Sequence, residues 1–332
     1  MAVRAAYGKG GAGIESIQVR ETSTPEPGAG EVLVRLTAAT LNFRDLLFSK
    51  GVLKNMTKEP EYVPLSCAAG EVVAVGAGVD GFAPGERVSP TFVQGVARSE
   101  GMSAQMLGGT ADGVARTHGV FPAISLCKIP DELGDLEAAT LPCAGLTAWS
   151  ALFTARPIQP GEWVLVQGTG GVSLAALQWA KAAGANVVLT SSSDAKLRRG
   201  AALGADLTIN YKTHPDWAAA TRAKLGGKGV DIVVDVAGAQ DLSGSAAVLN
   251  DGGIIAAIGM LAGDFSWGKD VGKPIVPIAV GSPDQHDDML AFAAKHRIRP
   301  VVDVVYDLDR IQDALKRLES GAFFGKVGVN LL

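Results

Sequence analysis

The chain has 332 residues, 47% of them hydrophobic and 19% charged, and a formal net charge of −4. Such a length predicts two compact units, and the composition excludes a disordered chain. The weak charge, with no run of five like charges, gives nucleic acid or an anionic membrane no electrostatic footing as partners. The opening "MAVRAAYGKGGAGIES" has no apolar stretch long enough for a signal peptide, and later apolar runs fall far short of the ~20 residues of a membrane span. Cys67, Cys127 and Cys143 form no CxxC pair and no disulfide framework, so a cytoplasmic protein is expected.

In chain order, "EVLVRLTAATLN", "AAGEVVAVGAGV" and "ERVSPTFV" read as short strands parted by turns such as "PEPGAGE" and "FAPGE". They predict a compact, mainly antiparallel β unit. From "EWVLVQG" onward the pattern alternates. A Val-rich strand precedes the helical "VSLAALQWAKAAGA", then come the strand "NVVLTSSS" and the helix "DAKLRRGAALGA", capped by its serines or Asp194. "DIVVDVAG" and "GGIIAAIGM" are continuous apolar runs, as expected of strands buried on both faces. This alternation predicts a doubly wound parallel sheet, placed at residues 126–288. The amphipathic "LDRIQDALKRLESG" and the last strand "GKVGVNLL" are expected to pack back onto the first unit. Residues 1–125 and 289–332 would then form one domain, with the parallel sheet inserted into it and a ligand in the cleft between the two.

The strand-to-helix turn "GTGGVS" places Gly168, Gly170, Gly171 and Val172 where backbone N–H groups and a positive helix end hold a pyrophosphate. Ser173 stands where a third glycine normally permits close packing. The end of the next strand discriminates between dinucleotides. Ser191 and Ser192, with Lys196 nearby, suit a 2′-phosphate and favour NADPH, with NADH as the alternative if Asp194 is the ribose partner.

With "GTGGVS", three further stretches carry a resemblance along the whole chain: "AATLNFRDLLFSKG", "LPCAGLTAWSALF" and "GAFFGKVGVNL". The chain resembles the medium-chain dehydrogenase/reductase family, in its zinc-independent branch with quinone oxidoreductases and enoyl reductases. The resemblance implies an α/β fold, a Rossmann sheet inserted into a GroES-like β-barrel catalytic domain. It also implies a homodimer paired across an edge strand, here Pro274 to Ser282. Motif matching puts Asn42 at the first cysteine ligand of the zinc-dependent relatives and Ser66–Cys67 at their His–Glu pair, while only Cys143 keeps a ligand type. A tetrahedral zinc needs about three N or S ligands, so no zinc is expected. A rearranged site of Cys67, Cys143 and His118 is the alternative, against small buried thiols. The same matching assigns cofactor contacts to Asn42, Thr147, Tyr211, Ala237, Gly238, Gly259, Met260 and Val280.

Without a metal, hydride delivery to a conjugated acceptor is the more reasonable chemistry, because charge spreads into an enolate or hydroquinone anion that hydrogen bonds stabilise. The substrate is expected to be a small-molecule electrophile. Quinone reductases often carry Asn-Tyr-x-Asp, whereas this chain reads Asn42-Phe43-Arg44-Asp45, without the phenol. Asn42 is the leading catalytic donor, followed by Arg44, Asp45 and His118, each with a structural alternative. A zinc-free alcohol dehydrogenase or carbonyl reductase, and a non-catalytic NADPH-binding sensor or crystallin-like protein, remain as competing readings.

Overall fold

The computed structural model describes residues 2–95, 105–238, 242–259 and 270–332. The chain divides into two compact units, residues 1–144 with 282–332, and residues 145–281. The inserted arrangement expected from the sequence is therefore present, with shifted boundaries.

In the first unit the strands are β1 (Val3–Tyr7), β2 (Gln18–Thr22), β3 (Glu31–Thr40), β4 (Cys67–Val75), β5 (Arg87–Pro90), β6 (His118–Pro122) and β7 (Leu126–Lys128). Helices α1 (Phe43–Ser49) and α2 (Asp135–Ala138) complete its N-terminal part. The second unit holds α3 (Leu146–Trp149), β8 (Trp163–Gln167), α4 (Gly171–Ala182), β9 (Asn186–Ser191), α5 (Asp194–Ala202), β10 (Leu207–Asn210) and α6 (Trp217–Lys224). It continues with β11 (Val230–Asp235), α7 (Leu242–Val248), β12 (Leu249–Ala257) and β13 (Ile275–Pro277). The chain then returns to the first unit with α8 (Pro283–Lys295), β14 (Val302–Asp307), α9 (Ile311–Glu319) and β15 (Lys326–Asn330).

The first unit is built on a sheet ordered β14-β15-β3-β4-β5-β7, with β6 also on β3. Pairing is antiparallel except between β14 and β15. The alternating apolar residues of β3, Val32, Val34 and Leu36, face a core shared with Leu315 and Leu318 of α9 and Val327 and Val329 of β15. Each such side chain contributes roughly 1.5–3 kcal/mol on burial. That burial brings the C-terminal strand beside β3, with Val329 opposite Ala39. Residues 126–144 and 282–288, assigned by sequence to the parallel domain, belong here. The physical reason is pairing: β7 runs antiparallel to β5, with Cys127 opposite Ser89, and nothing local in "LCK" marks its partner.

The second unit is a parallel sheet ordered β10-β9-β8-β11-β12-β13. This is the Rossmann order, reversing direction between β8 and β11. Val164, Leu165 and Val166 of β8 and Ile232, Val233 and Val234 of β11 are fully buried, which explains the unbroken apolar runs.

Candidate active site

In the second unit the predicted cofactor residues converge on the carboxyl ends of the parallel strands. Gln167 pairs with Thr190, Ser191 with Asn210, Val166 with Val234, and Asp235 with Ala257. The turns after these strands thus lie along one edge, where dinucleotides bind at the reversal of strand order. After β8, Gly168 has φ 72, a left-handed conformation that costs an L side chain about 1–2 kcal/mol. Gly170 precedes the first turn of α4, which no side chain caps, and its leading N–H groups therefore face outward for an anion. A Cβ added at Gly170 would meet nothing within 4 Å, so the space above the turn is open. Ser173 is buried, and its hydroxyl donates to the Gln167 carbonyl at 2.7 Å. The serine takes the place of the missing glycine by tying the helix back to the strand. Val172 is half-buried on the same first turn.

A nicotinamide dinucleotide fits this cradle, with Gly168, Gly170 and the first turn of α4 to hold its pyrophosphate. Gly170→Ala is expected to weaken NADPH binding at least ~10-fold by filling the open space, at a stability cost of no more than about 1 kcal/mol. Fluorescence titration beside urea unfolding separates the two effects.

After β9, Ser191 is buried and its hydroxyl accepts from Ser193 N, while Ser192 is more open. Asp194, the alternative ribose partner, is exposed and accepts from Asn210 Nδ2 at 2.6 Å, Asn210 being paired with Ser191. Lys196 lies in the first turn of α5, its backbone N–H capped by Ser193. Tyr211 is exposed and its backbone N–H donates to the Ser191 carbonyl, so it shares this corner. Ala237 and Gly238 follow β11, and Gly259 follows β12. A side chain on Gly259 would lie 2.4 Å from the Val236 carbonyl oxygen, so that glycine is required by the close approach of the two turns. Thr147 is buried in α3, and Val280 accepts from the Ser150 hydroxyl at 2.9 Å. Met260 lies outside the described residues.

One network here escaped the sequence reading. Asp235 is fully buried at the end of β11, accepting from Gly238 N at 2.9 Å and from the Ser245 hydroxyl at 2.7 Å. Gln167 donates to Ser245 and accepts from Ala237 N. Burial raises the Asp235 carboxyl above its ordinary range against these bonds. The network holds the turns after β8 and β11 in one shape, and its only local signal was an acid ending an apolar run.

In the first unit a polar cluster forms at the end of β3. Asn42 Nδ2 donates to Ser66 Oγ at 3.1 Å and to Cys67 Sγ at 3.0 Å. Its Oδ1 accepts from Lys326 Nζ at 2.6 Å, and the same ammonium bonds the Leu41 carbonyl. Asn42, Ser66, Cys67 and Lys326 are all buried. Leu65, just before Ser66, has φ 67. This strained left-handed conformation sets the entry of β4. The amide expected to be free for substrate is thus engaged at both ends. Lysine has three donors, and after the bonds to Leu41 and Asn42 the third N–H of Lys326 remains. Lys326, like the Asp235 network, was missed by sequence reasoning.

Asp45 caps α1, its Oδ2 accepting from Asn42 N at 2.7 Å, while its buried Oδ1 has no partner among the described residues. Burial, partly offset by Arg44, raises this carboxyl to about 6. Arg44 donates to the Leu107 carbonyl at 2.7 Å and stacks over Phe48 and Phe92, a packing role. Phe43 is exposed. His118 is not brought to this cluster. It pairs opposite Arg35, in the middle of β3, whereas Cys67 pairs opposite Thr40 at the strand's end, roughly 16 Å along the strand. Its ring contacts the Thr117 hydroxyl. The strand register therefore corrects both its expected catalytic role and the rearranged metal site.

The donor set does not fit a tetrahedral zinc. Cys67 and Cys143 are two sulfur donors where about three N or S ligands are needed, and the Asn42 oxygen is already occupied by a buried cation. Among the described residues no group of three or more His, Cys, Asp or Glu is placed to hold a metal, and no helix is long and apolar enough to cross a membrane.

Comparison with known proteins bears on this geometry. The zinc-binding dehydrogenase family pattern matches residues 171–295, and that of the alcohol dehydrogenase GroES-like domain matches residues 28–131. A zinc-type alcohol dehydrogenase-like protein of Schizosaccharomyces pombe is 40% identical over 330 residues, covering 95% of each chain. A 2-haloacrylate reductase of Burkholderia is 34% identical over 247 residues, covering 73% of this chain and 69% of its own. The crystal structure of an NAD-dependent alcohol dehydrogenase superposes with a TM-score of 0.88 at 36% identity, covering 98% of this chain and 99% of that one.

Proposed function

Because this chain belongs to the medium-chain dehydrogenase/reductase family of NAD(P)-dependent oxidoreductases, we propose that it reduces a quinone or an α,β-unsaturated carbonyl with NADPH, independently of zinc. One observation carries this reading. The position matching the first cysteine ligand of the zinc-dependent relatives holds Asn42, and a buried ammonium, Lys326, sits on its amide oxygen. When bound, the reduced nicotinamide supplies a hydride. Lys326 and the Asn42 amide it polarises give the site a fixed positive potential, suited to a delocalised enolate or hydroquinone anion. A single ammonium is weaker than a divalent metal, which makes the spread-out anion the better match. The proton that completes reduction comes from solvent.

The 2-haloacrylate reductase, named for a conjugated substrate, supports the reading. The names of the other two relatives favour a second one, an alcohol dehydrogenase or carbonyl reductase. Steady-state assays decide. NADPH oxidation by a quinone or cyclohexenone is expected to exceed alcohol oxidation by NADP+ or NAD+; the reverse order rejects the proposal, and turnover with neither favours a nucleotide-binding sensor.

For the cofactor, Ser192 is the open neutral position after β9. Ser192→Asp is expected to lower the NADPH-to-NADH ratio of kcat/KM at least ~10-fold by like-charge repulsion. An unchanged ratio would place the ribose contact elsewhere. A homodimer across β13, the outermost strand of its sheet, and a cytoplasmic location, in keeping with the free cysteines, complete the proposal.

A further inference from the structure

The turns along the cofactor edge differ in what their backbones can offer a ligand. On the NADPH reading of this edge, we propose that Asp235 and Gln167 are positioning residues for the nicotinamide half of the cofactor. They hold the N–H groups of the turn after β11 inward, so that this turn meets its ligand with carbonyl oxygens. Asp235 Oδ1 takes the Gly238 N–H at 2.9 Å, and Gln167 Oε1 takes the Ala237 N–H at 3.2 Å. Both acceptors are themselves tied down. Asp235 Oδ2 accepts from the Ser245 hydroxyl at 2.7 Å, and Gln167 Nε2 donates to the same hydroxyl oxygen at 3.1 Å. Asp235, Gln167 and Ser245 are all buried, so these bonds are made out of water. The turn after β12 follows the same rule through the main chain alone. There the Asp235 carbonyl accepts from Ile258 N at 2.9 Å and from Gly259 N at 3.0 Å. Ala237 and Ile258 are half-buried, and no described residue donates to their carbonyl oxygens.

The turn after β8 has the opposite polarity, because no side chain caps the leading N–H groups of α4. A dinucleotide needs both kinds of turn. Its phosphate oxygens only accept hydrogen bonds, whereas its ribose hydroxyls and carboxamide NH2 can donate. With the adenosine end beside β9 and the pyrophosphate at α4, the strand order leaves β11 and β12 for the nicotinamide end. Turns that show carbonyl oxygens bind donors and repel a phosphate. The side chains beneath the β11 turn therefore help fix which end of the cofactor lies there. Asp235 and Gln167 act through Ala237 and Gly238. An aliphatic side chain at either position would leave one of those N–H groups without its buried acceptor, and the peptide would rotate to seek another.

The test measures the affinity of the full-length protein for NADPH and for adenosine 2′,5′-bisphosphate, which keeps the adenosine end and has no nicotinamide half. In Asp235→Ala the Kd for NADPH is expected to rise ~10-fold or more, with that for the bisphosphate within about twofold of the parent protein. Asp235→Asn keeps an oxygen for Gly238 N and can donate to Ser245 Oγ. It is expected to restore NADPH affinity to within about threefold of the parent. Gln167→Met removes the acceptor of Ala237 N at similar volume. It is expected to show the same split at ~3-fold or more, and it carries the test if Asp235→Ala does not fold. Both ligands weakened alike would overturn the proposal, since a general collapse of this edge does not spare the adenosine end. NADPH affinity unchanged in both Asp235→Ala and Gln167→Met overturns it as well. A parent protein that binds neither ligand rejects the dinucleotide reading itself, and the positioning role with it.

Discussion

Lys326→Met is expected to lower kcat/KM by roughly 10²–10³-fold, the loss seen when a preorganised charge or donor is removed from a developing anion. Lys326 is 5% exposed, and the partners of its ammonium are the Leu41 carbonyl and Asn42 Oδ1. Two opposing effects govern stability. Removing the donor leaves two buried acceptors unpaired, at about 1–3 kcal/mol each. Removing a buried charge relieves a desolvation penalty of several kcal/mol. They offset, so the unfolding free energy is expected to change by no more than about 2 kcal/mol. Lys326 acts here as a fixed charge, held in place by Asn42 and the Leu41 carbonyl. Lys326→Arg, which keeps a charge and donors, is expected to recover part of kcat with KM for the acceptor still raised. Activity of Lys326→Met within threefold of the parent protein would remove Lys326 from the account.

The second large effect concerns Asp45 and pH. Its buried carboxyl titrates at about 6 in the folded protein against an ordinary 3.8. Between those values the folded state binds the extra proton, so stability falls as pH rises. The contribution is fully present below pH 3.8, is lost as pH rises through 6, and amounts to about 2 kcal/mol between pH 4 and pH 7. Asp45→Asn keeps an oxygen to accept from Asn42 N but has no proton to release. The stability of Asp45→Asn relative to the parent protein is therefore expected to rise by that amount over the same interval. Arg44, Cys67, Lys326 and Tyr62 share this neighbourhood, and comparing the two proteins at each pH cancels most of their own titration. Urea unfolding at four pH values measures the difference. A difference that stays flat with pH would mean the carboxyl is not held above its ordinary range.

The nucleotide-binding half was legible because its signals are local. Gly168 to Ser173 lie between a Val-rich strand and an amphipathic helix, and a turn between consecutive elements needs no distant partner. Even there the tertiary structure decided the details. Ser191 proved buried, Asp194 is bonded by Asn210, and Asp235 is locked to Ser245. Each of these depends on how strands stack beside one another, which a linear pattern does not encode.

By itself the sequence determined the fold class and the inserted order of the two units. Both rest on residue type and short-range periodicity, while the expectation of Asn42 and Ser66 at zinc-ligand positions rests on the family resemblance. Only the tertiary structure decided what surrounds Asn42. Lys326 meets it across 284 positions of chain because β15 buries its apolar face beside β3. Strand register carries His118 away for the same reason, since each residue along β3 moves a side chain about 3.3 Å. Long-range pairing selects neighbours by burial and hydrogen-bond satisfaction over the whole unit, and no local stretch contains that information.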